Sequence, residues 1–91
     1  MSLYDYYIID VVATRTEGRV VFWGKGDCLF TTKPQRALVI TEESVNANLN
    51  RYDDGKHTRA VLCSAVHNHT GDLMELLQYR KPQATEVEMI A

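Results

Sequence analysis

His67 and His69, two residues apart with Asn68 between them, are the pair most suggestive of chemistry in this 91-residue sequence. On an extended segment both rings point to the same side. Cys63 lies four residues before His67, and His57 is available as a fourth donor, so a zinc-type set can be written from these four side chains. The spacing matches no paired-knuckle pattern and there is no C-x-x-C. A polar surface loop is the competing account, and with it Cys63 is a small apolar residue inside the run of residues 60–66.

Two other groups invite a chemical reading. Gly24, Lys25, Gly26 and Asp27 form a loop whose glycines free backbone N–H groups to cradle an anion, although the P-loop spacing is missing and a plain turn explains the same residues. Cys28 follows that loop, and Lys25 beside it favours the thiolate. Trp23, Phe30 and Tyr52 are aromatics flanked in sequence by Lys25, Lys33 and Arg36. Aromatic residues with cations dominate the energetics of protein interfaces, so these six make a candidate partner-binding patch. Core packing of the single Trp is the alternative. No nucleophile elbow, Ser-His-Asp arrangement or paired-carboxylate site stands out.

Length limits what these residues can serve. A chain of 91 residues is one domain, too small for a Rossmann or TIM architecture or for a large cofactor cavity. The charge is −2, from 10 Lys+Arg against 12 Asp+Glu, and residues 14–41 carry a local excess of three positive charges. That excess is too sparse for a nucleic-acid footprint. Apolar runs are only a few residues long, which excludes a membrane span, and the N-terminus shows no secretory pattern. Two cysteines without an export signal are expected as free thiols in the cytoplasm.

The elements that must position these groups follow from periodicity and turn chemistry. Residues 4–14 alternate and predict a strand, with Tyr6 and Ile8 on one face and Tyr7 and Ile9 on the other. A turn ending at Gly18 and a second strand over residues 19–23 complete an expected hairpin. Thr32, Pro34 and Gln35 predict a capped helical turn over residues 33–37. Thr41, Glu42 and Glu43 open a second helix with Val45, Leu49 and Tyr52 as its buried stripe, stopped by Asp53, Asp54 and Gly55. Residues 58–66 predict a central third strand. Thr70 opens a last helix over residues 71–81, ended by Pro82. The expected fold is α+β: a small three-stranded, mainly antiparallel sheet with two or three short helices on one face. Residues 1–81 form the domain and 82–91 a tail. Tyr4, Tyr6, Tyr7 and Tyr52 supply more aromatic surface than one sheet face needs, which suggests a homodimer through the edge of the first strand.

Val21, Phe22, Trp23 and Gly24, followed by Phe30, Thr31 and Thr32 and by the stretch from Ala37 to Thr41, Glu42 and Glu43, resemble small uncharacterised bacteriophage-encoded accessory proteins. There an aromatic-Trp-Gly hairpin end leads into an aromatic-Thr-Thr turn and an acidic-capped helix. The resemblance spans roughly residues 7–52. Where those proteins carry Pro after the Gly and Gly before the aromatic, this chain has Lys25 and Leu29. The resemblance implies interaction with a host protein and supplies no catalytic residues.

The expectation is therefore a non-enzymatic cytoplasmic module, without a cofactor, that docks on a protein partner through Trp23, Lys25, Phe30, Lys33, Arg36 and Tyr52. The alternative is a small-ligand or nucleotide sequestering protein using Gly24, Gly26 and Asp27. A metal-dependent enzyme acting through His67 and His69 is the third reading.

Overall fold

The computed structural model describes residues 4–78. The first strand, β1 (Asp5–Asp10), is buried on both faces, as its two alternating apolar sets require. It does not continue into a second strand. Asp10 accepts a hydrogen bond from the Ala13 N–H at 2.9 Å and caps α1 (Val11–Glu17). Gly18, at φ 74°, ends that helix with its N–H on the Thr14 carbonyl, a left-handed position that glycine takes without strain. Val11 and Thr14, three apart, turn inward. The buried Thr14 hydroxyl accepts from the Val21 N–H at 2.9 Å and ties α1 to the next strand. The expected hairpin is thus replaced by strand, helix, strand, because a cap and a stop eight residues apart outweigh β-branched propensity.

The remaining strands are short: β2 (Phe22–Trp23), β3 (Phe30–Thr31), β4 (Val39–Thr41) and β5 (Thr58–Leu62). All pairings are antiparallel. β1 is the hub. β5 runs along one side of it, from Tyr6 opposite Leu62 to Asp10 opposite Thr58. The other side is shared: β4 pairs with its first half and β2, with β3 outside it, with its second half. The sheet has five strands rather than three, and β5 pairs with β1 only, so it is not central. β1 is flanked on both sides, which removes its edge as a dimer contact. Tyr6 and Tyr7 are core residues and Tyr4 is 41% exposed.

Helices cover both faces of the sheet, not one. Tyr6, Ile8, Ala60 and Leu62 pack with Val45 of α2 (Glu42–Ala47) and with Tyr52 of α3 (Leu49–Tyr52). Thr41 caps α2 as its hydroxyl and following acids predict, and the helix breaks at Asn48. Tyr7, Ile9, Phe22 and Val61 pack on the opposite face with Val66 of α4 (Cys63–Asn68) and Leu76 of a 3-10 helix, Leu73–Gln78. α4 and this 3-10 helix stand where a strand to residue 66 and an α-helix from residue 71 were expected. Asp72, not Thr70, receives the Met74 N–H in the first turn. The other 3-10 turn, Pro34–Arg36, has Lys33 at its cap position and no side-chain cap. Thr31, rather than Thr32, accepts from the Lys33 N–H. The expected tail, 82–91, and the end of the last helix lie outside the described residues.

Candidate functional site

β2 and β3 pair Trp23 directly with Phe30. Beyond Trp23 the chain stays extended long enough to bond a second neighbour: the Leu38 N–H donates to the Trp23 carbonyl and the Lys25 N–H to the Arg36 carbonyl. This sets Lys25 beside Arg36, with Lys33 one turn earlier. Trp23 is half-buried, and its ring meets Tyr52 edge-on with centroids 6.0 Å apart. The sheet register and α3 therefore bring Trp23 beside Phe30 and Tyr52, and the backbone bond from Lys25 to Arg36 joins two of the basic residues to the same stretch of chain. Trp23 also supports the α2–α3 core, so it is only partly a display residue.

Two members of this surface escaped the sequence reading. The Arg51 guanidinium lies 5.8 Å from the Trp23 ring centroid and 5.6 Å from that of Tyr52, a cation–π arrangement. Its position next to Tyr52 on a helix was the available signal. Leu29, just before the outermost strand, is 77% exposed, and Phe30, on it, is 54% exposed. Lys25, Lys33 and Arg36 are exposed and have no acidic partner among the described residues.

The loop from Gly24 to Asp27 is built as a turn. The Gly24 N–H donates to the Leu29 carbonyl, the Lys25 N–H to that of Arg36 and the Cys28 N–H to that of Lys25. These three donors are engaged within the fold, and those of Gly26 and Asp27 are not among them. The loop also forms one wall of a groove of about 370 Å³ with Trp23, Phe30, Leu38 and Asp10. Cys28, half-buried, donates its thiol proton to the Phe30 carbonyl.

The histidine pair is divided by α4. His67 lies in the helix and its Nε2 shares a 2.7 Å hydrogen bond with the Tyr7 hydroxyl. His69, beyond the helix, turns to Glu75 at 2.9 Å and to the Asp72 carbonyl at 3.0 Å. His57 is held in its own loop by Asp54 at 3.0 Å. Backbone N–H groups of Thr58 and His57, then the His57 ring, hold the Asp54 carboxyl well below the usual carboxylate range. No group of three His, Cys, Asp or Glu side chains is placed to hold a metal among the described residues. The extended-segment geometry on which that set depended does not occur.

Cys63 is half-buried at the start of α4 rather than inside a strand. Burial is the main cause that pushes its thiol from 9.0 to about 11. The Asp5 carboxylate adds to the rise, and the Tyr7 hydroxyl partly offsets it. Burial likewise raises Tyr7. The unfolded chain releases the Cys63 proton first, so this group's contribution to stability is intact below pH 9.0 and is lost as the pH climbs toward about 11. In the folded protein, iodoacetamide is expected to label Cys63 slowly at neutral pH and rapidly only as the pH nears about 11. Peptide-resolved mass spectrometry measures this, and fast labelling at neutral pH contradicts it.

No helix among the described residues is long and apolar enough to cross a membrane. No protein-family model, curated protein or solved structure matches the chain.

Proposed function

We propose that this chain is a small non-enzymatic binding module that docks on a protein partner through the β2–β3 end. The observation that carries the proposal is the exposure of Phe30 on an outermost strand and of Leu29 just before it, with Lys25, Lys33 and Arg36 exposed on the neighbouring segments. An outermost strand offers backbone groups to an added strand, exposed apolar side chains supply affinity, and unpaired cations select an acidic segment. The partner segment is accordingly extended, acidic and punctuated by apolar residues. The resemblance at Val21, Phe22, Trp23 and Gly24 supports a phage-type accessory role against a host protein in the cytoplasm.

Selection from a random peptide library tests this directly. Acidic, apolar-spaced peptides are expected to enrich. They should bind at least about tenfold more weakly to the Leu29→Ser, Phe30→Ser double variant, whose melting temperature should stay near that of the parent because both side chains face solvent. Absence of such enrichment, or equal binding by the variant, overturns the proposal.

The groove beside the loop supports a second reading, a module that sequesters a small ligand. Its walls are mainly Trp23, Leu29, Phe30 and Leu38 and include no Lys or Arg, so the ligand it suits is a small aromatic compound rather than a nucleotide. Native mass spectrometry of freshly purified protein separates the two readings by whether such a compound stays bound.

A further inference from the structure

A cleft lined by no residue of β2 or β3 gathers two arginines. Arg15 projects from the last turn of α1, and Arg59 stands on β5 opposite Ile9. The two line a polar cleft of about 210 Å³ with Val11, Leu77 and Gly55. The Val11 N–H donates to the His57 carbonyl, which fixes the start of α1 against the loop that leads into β5. Neither guanidinium has an acidic partner among the described residues. The Arg59 Nε is buried without a hydrogen-bond partner among the described residues. Gly55, at φ 79°, turns the chain beside the Arg59 Nη1.

Each of these features has an ordinary explanation singly. An arginine near a helix C-terminus interacts favourably with the helix dipole, and an arginine stem can run along apolar surface. Together they leave a pattern that those explanations do not cover. Two like charges share one cleft with no carboxylate among the described residues, which is unfavourable until an anion arrives. Val11 and Leu77 wall the cleft with apolar surface and strengthen any charge interaction formed inside it. Guanidinium groups match tetrahedral oxyanions, which accept from several N–H groups at once.

We infer that Arg15 and Arg59 form a binding site for a small free phosphate-type dianion. The cleft holds a phosphoryl group with a few further atoms and is too small for a nucleoside. Amide chemical shifts followed by NMR during titration with inorganic phosphate, at constant ionic strength, provide the test. Val11, Gly55 and Arg59 amides are expected to move along a saturating curve with Kd at or below about 1 mM. Arg15→Gln, a change at an exposed position, should weaken binding at least about tenfold and leave the rest of the spectrum in place. Arg59→Lys should also weaken it while preserving charge, because the fork geometry is lost. Linear shifts without saturation, equal shifts with chloride, or an unchanged Kd in Arg15→Gln overturn the inference.

Discussion

Phe22→Ala is expected to destabilise the domain by about 3–5 kcal/mol, among the largest effects open to a single truncation. Phe22 has no exposed surface and lies among Tyr7, Ile9, Val20, Val61 and Leu76. Its ring meets Tyr7 in an edge-on contact with centroids 5.5 Å apart, and its backbone pairs with Ile9 on one side and Thr31 on the other. Loss of the ring removes transfer free energy and leaves a cavity that two rigid strands cannot close. A domain of this length is stable by only about 5–14 kcal/mol, so at least about a fifth of its stability is at stake. Urea titration measures the shift in midpoint at unchanged slope. The control is Leu29→Ala at an exposed apolar position, which should change stability by no more than about 0.5 kcal/mol. Equal effects at the two positions would mean that Phe22 is not the core residue described above.

Gly24→Ala is the second change with a large expected effect, at least about 2 kcal/mol. Gly24 does not adopt a positive φ, so its backbone conformation suits any residue, and alanine would ordinarily stabilise by stiffening the unfolded chain. Sterics decide the sign instead. A Cβ at Gly24 would fall on the Cys28 carbonyl oxygen, with the carbonyl carbon 2.7 Å away. That carbonyl is backbone in a tight turn, and it cannot retreat without breaking the bond from the Gly24 N–H to Leu29 or the bridge between Gly24 and Ala37. Thermal unfolding should show the loss, and amide exchange at Phe30 and Thr31 should accelerate most. Gly26→Ala makes the comparison informative: at φ 63° with nothing within 4 Å of the added carbon, it should cost only about 1 kcal/mol, through backbone strain alone. Should Gly26→Ala prove the more damaging, the close approach at Gly24 is not what holds the turn.

What the sequence disclosed depended on how local the determining physics was. The alternation of Tyr6 and Ile8 against Tyr7 and Ile9 identified β1 because side chains of a strand alternate regardless of context. The Thr41 cap of α2 was legible for the same reason. Residues 11–14 misled because Val11, Val12 and Thr14 are β-branched, whereas the deciding terms were the Asp10 cap, the Gly18 stop and the burial of two residues three apart. The apolar character of both β1 faces hinted that helices cover each of them, but only packing shows which helices do so. Trp23, Lys25, Phe30 and Arg36 were within reach of sequence reasoning, since all lie within one stretch of chain. Leu29 was not, because its exposure follows from how the turn before β3 is folded. Arg15 and Arg59 meet only through the pairing of β1 with β5, which no local signal encodes.

The central position of β1 also bears on how the chain folds. The strand made first is the one every other part of the sheet depends on. Its longest ladder is to β5, about fifty residues further along the chain. Closing that loop costs entropy before the contact returns any stabilisation, so folding should be slow for a domain of this size. Until β5 is synthesised, β1 has an apolar strand edge with no neighbour on that side. Truncation before residue 58 should therefore leave a chain that aggregates rather than a smaller folded unit, and β1 should gain protection from amide exchange together with β5 in a single cooperative step.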